Sequence, residues 1–437
     1  MREGLLILLV AGLCVTALVR PKYGVLAYTW FALMRPDVWS WSVGIPYSMA
    51  LAVCTLIGAL PHIFRFGILF KTPLSRWLIL FLVPITLSAV NAVDPSLSWP
   101  AWYEFVRIII MALLIPVFIT TERDFKILLA VIGASVAIFG IKLALYSMFV
   151  ADAEYIDAFE GTMMGDNNML ALALAMAAPL CWYSALLAKK RWIRLVFFGL
   201  ALGSLAGIVM TNSRGGALSA GIAILAVALR SKRKLGTVVV IAVCLSPAIY
   251  VVHDKYFKRL STITDDENVA DQSIKSRLNH RRAAWAMWKD YPLLGVGFGM
   301  ENYAKLAPRY LGYYDFHVAH NTYFQILADD GIFAIVIYTG MLFGTIIWLQ
   351  KSIRQTKQEY PGKEIYPIGL QAALLAFSVG CYFLSRDSYD LLYIVLMAAA
   401  AWRNLALNGE WDDDYVTDSD DETAEFELSA ELENYAV

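Results

Sequence analysis

About a dozen apolar stretches, each close to the length of a membrane span, follow one another along this chain. One long polar segment, residues 253–320, interrupts them in the C-terminal third. Short polar turns separate the other stretches, and roughly 20 apolar residues are what an α-helix needs to cross a bilayer. A membrane β-barrel would instead show alternating segments of about ten residues. The pattern therefore predicts an all-α polytopic membrane protein with about 12 transmembrane helices, in the range of roughly 11–13.

This pattern divides the chain into four parts. We expect an N-terminal transmembrane bundle (1–252), a long loop that contains amphipathic helices (253–320), C-terminal transmembrane helices (321–405) and a tail (406–437). The individual spans are expected near 4–19, 23–39, 46–64, 76–90, 99–119, 126–149, 167–188, 193–211, 215–230, 235–252, 321–350, 366–384 and 389–405.

The composition supports a membrane protein. The chain is 59% hydrophobic and 17% charged, with a mean hydropathy of +0.57, whereas soluble domains are nearer half apolar and a quarter charged. The formal net charge of −1 conceals an asymmetry, because residues 410–437 hold twelve acids and no Lys or Arg. The rest of the chain then has 25 acids against 36 bases. An acidic end without an apolar pattern is typical of a solvated, disordered tail.

The basic residues of the short loops predict the orientation. Loops such as 189–194 and 230–234 are rich in Lys and Arg, whereas 91–98 and 151–166 contain neither. Basic loops lie on the cytoplasmic side of membrane proteins. The long loop 253–320 then lies on the opposite side, although it carries ten bases, because long segments translocate largely regardless of charge. The acidic tail is expected in the cytoplasm.

Cationic and imidazole side chains concentrate on the non-cytoplasmic face. Arg214 lies between two spans, Arg277 opens an amphipathic stretch that also carries Arg281 and Arg282, and His320 starts the span after the loop. The planar arginine fork suits phosphate oxygens, so converging arginines could clamp a lipid diphosphate. A histidine titrates near neutral pH, which makes His320 the candidate proton acceptor. For any single loop arginine, contact with lipid headgroups or solvent is an equal alternative.

Other polar residues on this face are weaker candidates. No Walker pair, nucleophile elbow or group of metal ligands at a recognised spacing is present, so we expect no metal and no cofactor. The run Gly295–Gly299 follows no predicted strand, so we expect a turn and not a dinucleotide-binding loop. Asp166 precedes a span, where helix capping is the simpler explanation. The candidates for substrate binding, with Arg281 and Arg282, are His317, Asn321, Arg386, Asp166 and Asn167.

Several of these motifs, in this order, resemble the O-antigen ligase and polymerase superfamily. The N-terminal half is similar to a subgroup of O-glycosylation ligases associated with exosortase systems, through Trp30–Pro36 and Gly165–Asn168. One position departs from the family pattern, since a tryptophan often found four residues after the loop arginine is Arg281 here. The matching motifs are Ser213-Arg214-Gly215, Arg277 fifteen residues before Pro292 in Pro-Leu-Leu-Gly-Val-Gly, and His320-Asn321 followed by Gly331.

The resemblance implies a GT-C-like, metal-independent and inverting glycosyltransferase on the periplasmic face of a bacterial inner membrane. Its donor would be a glycan on undecaprenyl diphosphate, and its acceptor a hydroxyl of lipid A–core, of a protein or of another glycan. Membrane lipid would be a further partner, and nucleic acid would not. By position, Arg214 and Arg277 match the family's diphosphate-binding arginines, and His320 matches its proposed base.

Two alternatives remain open at this stage. A transporter or flippase of lipid-linked glycans would show repeated halves and broken helices that meet at the bilayer midplane. Here the polar residues concentrate in one loop and one face, which favours an enzyme. A structural scaffold would not account for the arginines and histidines. Within the enzyme class, the motifs do not separate a ligase from a polymerase; similarity to the ligase subgroup favours the ligase.

Overall fold

A computed structural model describes residues 2–39, 45–149, 164–231, 267–315, 317–385 and 388–409, with a few residues between 234 and 246. Every regular element in these residues is helical, which confirms the all-α prediction. The helices are α1 (Arg2–Val19), α2 (Pro21–Met34), α3 (Pro36–Trp39), α4 (Tyr47–Ala59), the 3-10 helix η1 (Leu60–Phe66), α5 (Gly67–Lys71), α6 (Pro73–Val90), α7 (Pro95–Leu113), α8 (Ile115–Phe118), α9 (Glu122–Phe149), α10 (Asn167–Leu187), α11 (Arg191–Met210), α12 (Arg214–Arg230), α13 (Glu267–Asp290), α14 (Met300–Leu311), α15 (Thr322–Glu359), α16 (Ile365–Gly380) and α17 (Asp390–Asn408).

Eight helical stretches among the described residues are long and apolar enough to cross a membrane. Shorter apolar helices add to them at Glu3–Val19 and Ile365–Gly380. They follow the predicted order, while the total number of spans stays a prediction. Most of the predicted span 235–252 and residues 410–437 of the predicted tail lie outside the described residues. The eight stretches are Tyr47–Lys71, Pro73–Val90, Pro95–Phe118, Glu122–Tyr146, Asn167–Leu187, Arg191–Met210, Thr322–Glu359 and Asp390–Asn408.

Two helices form the centre of the bundle. In the span of α10, 83% of the residues are buried, and in that of α17, 72%, against 22% for the span Tyr47–Lys71. A helix that is apolar on every side has no polar face for water and is suited to the interior of a bundle. Helix α10 packs against α9, α11, α12 and α16. Helix α10 therefore helps to position the four helices that it contacts.

Helix α15 breaks at Gly331, whose φ of 76° and ψ of −169° suit glycine because no Cβ is present. The turn that follows α13 fills this break. The Val296 amide donates to the Ala328 carbonyl at 2.9 Å, and the Ile332 amide donates to the Pro292 carbonyl at 3.0 Å. Because α13 ends just before this turn, these bonds hold the loop helix that carries the candidate arginines against the start of α15.

The glycine-rich run Gly295–Gly299 is part of the same turn, as the sequence predicted. A Cβ on Gly295 would lie 2.2 Å from the carbonyl carbon of Asp329, so a larger residue cannot replace it without moving the helix. The Ser98 hydroxyl donates to the Phe298 carbonyl at 2.7 Å. The run therefore joins the long loop to both the C-terminal and the N-terminal helices.

Candidate functional site

Three helices begin close together and carry most of the predicted site. Ser213 caps α12 by accepting a hydrogen bond from the Gly216 amide at 3.0 Å. Its hydroxyl also donates to the side-chain oxygen of Asn168 at 2.7 Å, which joins the starts of α12 and α10. The start of α15 contacts the segment after α16, since the Thr322 amide donates to the Cys381 carbonyl at 2.8 Å. The same segment packs against the start of α12, where a Cβ on Gly215 would lie 2.8 Å from that of Phe383. This local capping places Arg214 and His320 on one face of the bundle.

The residue before two of these caps has a left-handed backbone. Asn212 and His320, each with a φ of 52°, directly precede the caps Ser213 and Asn321. This conformation costs a non-glycine residue roughly 1–2 kcal/mol. It persists where surrounding contacts impose it, which happens often at functional sites. Both turns are therefore held by the packing around the two predicted catalytic positions.

Arg277 on α13 interacts electrostatically with two other arginines. Burial lowers the pKa of the Arg277 guanidinium, and the positive charges of Arg281 and Arg214 lower it further. Among the described residues, neither Arg277 nor Arg214 makes an ion pair or a hydrogen bond. The cluster therefore carries uncompensated positive charge, and the repulsion within it would be relieved by a bound anion.

Arg281 is committed to the protein main chain. Its guanidinium donates to the Tyr382 carbonyl at 3.1 Å and lies 3.5 Å from the His320 carbonyl. It also stacks over the Tyr382 ring at 4.6 Å. This side chain was predicted to bind substrate, and the structure shows it holding the turn at His320 against the segment that follows α16. The arginine contributes charge to the cluster. Its Nη2 is directed to backbone carbonyls, while its buried Nε has no hydrogen-bond partner among the described residues.

His320 is held in its neutral form. Burial, followed in size by the positive charge of Arg277, lowers the pKa of His320 to about 4; His280, His317 and Arg281 act in the same direction. A neutral imidazole can accept a proton, whereas an imidazolium cannot. The His320 imidazole is therefore uncharged at neutral pH, and an anion bound beside it would raise its pKa.

Asn321 positions the start of α15. It is fully buried, and its side-chain oxygen accepts from the Phe324 amide at 3.1 Å while its side-chain nitrogen donates to the Tyr382 carbonyl at 3.1 Å. The Asn321 amide donates to the hydroxyl of Ser385 at 3.1 Å. These bonds use the side chain that was predicted to contact substrate, so in this structure the residue supports His320 from within the protein.

The remaining predicted residues differ in their placement. Asp166 caps α10 by accepting from the Asn168 amide at 2.7 Å, and its contact with substrate stays a prediction. Asn167 is half-buried at the same helix start. Arg282 is exposed on α13, and among the described residues no hydrogen bond or ion pair joins it to the cluster. Arg386 lies outside the described residues.

A group of imidazoles and one acid adjoins His320. The ring centroids of His280 and His317 lie 6.0 Å apart, and those of His280 and His320 lie 6.4 Å apart. Asp315 lies between His280 and His317 and contacts both. These three residues could hold a metal ion. Neither Asp315 nor the partner of His280, Tyr303, was identified from the sequence, because Tyr303 follows His280 by 23 residues and Asp315 follows it by 35.

The fold and this face together define a multi-pass membrane protein with an uncompensated cationic site beside a neutral histidine. Residues 201–339 match the family described as O-antigen ligase, which confirms the resemblance of this part of the chain to the O-antigen ligase superfamily. The match includes Arg214, Arg277 and His320. Residues 1–186 match a family of unknown function (DUF5935). No curated protein matches the chain. The assignment to the exosortase-associated subgroup stays a prediction.

Proposed function

We propose that this protein transfers a glycan from undecaprenyl diphosphate to an acceptor hydroxyl on the periplasmic face of a bacterial inner membrane. The O-antigen ligase match supports a membrane ligase or polymerase in general. The lipid diphosphate donor, the acceptor and the individual roles of Arg214, Arg277 and His320 are our proposals. In this scheme the arginines hold the diphosphate and His320 removes the acceptor proton.

The observation that carries this proposal is the uncompensated charge of the cluster. Arg214 and Arg277 act on each other electrostatically, and neither has a carboxylate partner among the described residues. Arginine forks hold phosphate oxygens in bidentate hydrogen bonds. A diphosphate would supply the missing negative charge, and the start of α12 would add a helix dipole that favours an anion.

The chemistry of the transfer needs only two kinds of help. The acceptor oxygen attacks the anomeric carbon, the bond from that carbon to the diphosphate oxygen breaks, and the acceptor proton passes to His320. Negative charge grows on the leaving diphosphate during this step, so fixed cations stabilise the transition state more than the ground state. Attack from the side opposite the diphosphate inverts the anomeric centre. Because arginines carry the leaving-group charge, we expect transfer without added Mg²⁺ or Mn²⁺.

A cavity of about 280 Å³ offers a place for sugar hydroxyls. It lies between the N-terminal helices and the starts of α14 and α17, and its lining includes Arg35, Arg107, Glu104 and Glu301. Groups of both signs supply donors and acceptors for hydroxyls, unlike the purely cationic cluster. This difference in charge supports separate binding sites, with the diphosphate at the arginine cluster and the sugar in the cavity.

The direct experiment incubates the purified full-length protein with a glycan on undecaprenyl diphosphate and with candidate acceptors, and then identifies the product by mass spectrometry. A ligase yields one glycan on lipid A–core or on protein, whereas a polymerase lengthens the lipid-linked glycan. Movement of the intact donor between the leaflets of vesicles, without any new glycosidic bond, would contradict the proposal and favour a transporter. The active-site variants are paired with Lys289→Ala, which removes an exposed charge from the same helix α13.

A further inference from the structure

Two histidines and one aspartate meet beside the candidate active site. His280 belongs to α13, and Asp315 and His317 belong to the segment that leads to α15. Each residue offers one ligand atom, and all three atoms lie within 4.8 Å of one another. Two imidazoles and a carboxylate form a donor set that suits Zn²⁺ and related transition-metal dications.

The hydrogen bonds of His280 determine which of its nitrogens is protonated. The Tyr303 hydroxyl donates to the His280 carbonyl at 2.7 Å, and the same oxygen lies 3.3 Å from Nδ1 of His280. A tyrosine hydroxyl has a single proton to donate. Because that proton is directed to the carbonyl, Nδ1 must carry its own proton and donate to the tyrosine oxygen. In neutral His280, Nε2 is therefore left with a lone pair.

That lone pair faces a carboxylate. Nε2 of His280 lies 3.1 Å from Oδ2 of Asp315, and the His280 side chain is fully buried. The contact lacks the alignment of a hydrogen bond, so this buried nitrogen has no hydrogen-bond partner among the described residues. A buried nitrogen without a partner is costly, and a lone pair opposite a carboxylate oxygen is repelled. A proton or a metal ion between Nε2 of His280 and Oδ2 of Asp315 is therefore required.

We infer that His280, Asp315 and His317 bind a Zn²⁺-like transition-metal dication, with Tyr303 as the outer partner that orients His280. A proton shared with Asp315 is the competing explanation. The poor alignment for a hydrogen bond favours a metal, and so does a second imidazole, His317, which contacts the other oxygen of Asp315. Metal-bound histidines usually donate their other ring N–H to a partner that fixes the ring, which is the role of Tyr303 here.

Such a site has room to complete its geometry. The His317 side chain is 67% exposed, so it is free of the close packing that would prevent it from turning to form the bond of about 2.0–2.2 Å that zinc requires. The ion would lie near the ring of His320, whose centroid is 6.0 Å from that of His317. The inference does not rest on the proposed function, because metal binding is measured directly and the transfer scheme assigns no step to this ion.

The test measures zinc bound to the full-length protein in detergent, purified with a tag that contains no histidine. The protein is stripped with a chelator, equilibrated with Zn²⁺, desalted and measured by inductively coupled plasma mass spectrometry. We expect about one Zn²⁺ per chain, and a loss of that ion in Asp315→Asn and His317→Ala. These residues are more accessible than His280, so the two variants are the safer ones for folding, which size-exclusion chromatography checks. His62→Ala, at a half-buried histidine on η1, is the matched control and should keep the ion.

Two results would overturn the inference. If wild-type protein that elutes as a single folded species binds no zinc after reloading, the cluster is a hydrogen-bonded one. If His317→Ala and Asp315→Asn bind as much zinc as the wild type, the ion binds elsewhere. Replacement of zinc by Co²⁺ gives a second readout, since the visible absorption of the bound cobalt should appear in the wild type and in His62→Ala and be lost in the other two variants.

Discussion

Charged side chains near the two ends of α15 are arranged in opposite ways. At its start, Arg277 and Arg214 repel each other and have no ion-pair partner among the described residues. Beyond its end, Glu122 is fully buried and lies 2.6 Å from Lys363 and 3.1 Å from Lys126. The 38 residues of the helix correspond to a contour of about 57 Å at 1.5 Å per residue. The two regions are thus distant parts of one bundle.

We expect this difference to separate stability from function. At the Glu122 end the buried carboxylate is paired with two lysines, and Tyr366 adds a hydrogen bond of 2.5 Å, so the carboxylate is satisfied within the protein. At the other end, mutual repulsion destabilises the folded protein, and only an external anion removes it. Active sites often hold such unfavourable arrangements at a cost in stability. Substitutions at the two ends should therefore affect different properties.

The largest effect on activity is expected from His320→Ala. Loss of a general base lowers rates by about 10²–10⁴-fold, while the arginines still hold the donor. We expect transfer to fall to background in the mass-spectrometric assay and donor binding to stay within a few-fold of the wild type. His62→Ala serves as the control for loss of an imidazole. Near-normal transfer by His320→Ala would show that another group, with His317 the nearest imidazole, removes the proton.

Arg277→Ala is expected to have the next largest effect on transfer. Loss of one electrostatic donor costs about 10²–10³-fold in rate, and Arg277→Lys should recover only part of it, because an ammonium cannot form the bidentate fork. The thermal unfolding temperature of Arg277→Ala should stay the same or rise, since repulsion with Arg281 and Arg214 is removed. Lys289→Ala is the matched control. A variant that loses stability in parallel with activity would indicate that Arg277 is structural.

The opposite outcome is expected for Glu122→Gln. Removal of one member of a buried ion pair destabilises by about 3–5 kcal/mol, because the buried side chain of Lys363 loses its counter-charge. Thermal unfolding followed by circular dichroism should show a clearly lower midpoint, with kcat per folded molecule nearly unchanged. Glu359→Gln, at an exposed glutamate near the same end of the bundle, is the control. An unchanged midpoint for Glu122→Gln would remove the contrast between the two ends.

The helices were largely predictable because a bilayer constrains the length and polarity of a span. The errors occur where a helix continues into polar sequence. The predicted span 321–350 continues to Glu359, and the predicted span 99–119 begins at Pro95. Hydropathy detects the part of a helix that faces lipid and not its polar turns. The packing of the Pro292 turn into the break at Gly331 depends on tertiary hydrogen bonds, which no local pattern of residues in the sequence reveals.

The candidate site was predictable only in part. Arg214, Arg277 and His320 share a face because the order of helices places them there, and helical order can be read from the apolar runs. The roles of these residues stay predictions. Arg281 and Asn321 were expected to contact substrate, and this stays a prediction. One guanidinium nitrogen of Arg281 and the side-chain nitrogen of Asn321 already donate to the Tyr382 carbonyl. The sequence shows the residue type and the face, but not the competition between a ligand and a nearby carbonyl.

The smallest expected effect is a shift in pH dependence, and it tests the cationic end directly. Positive charge beside an imidazole disfavours the imidazolium, so the pKa of His320, about 4, lies below the ordinary value. The unprotonated base is lost as pH falls through that pKa. The value of kcat/KM, which reports the free enzyme, should therefore stay constant at pH values where an ordinary histidine, with a pKa of about 6.5, is already protonated. Arg277→Gln removes one of the charges that lower this pKa, so the acid limb of its residual activity should move upward.

Lys289→Gln, far along the same helix, should leave the limb in place. The measurement uses chelator-treated protein, so that no ion bound by His280 and His317 contributes to the field; these two imidazoles and Arg281 are the other groups that act on His320. If the acid limb of the wild-type kcat/KM profile lies near pH 6.5 and Arg277→Gln does not move it, the charge of the arginines does not affect the pKa of His320. The repulsive cluster at the start of α15 would then not determine the pKa of His320, and the contrast with the paired charges around Glu122 would not bear on activity.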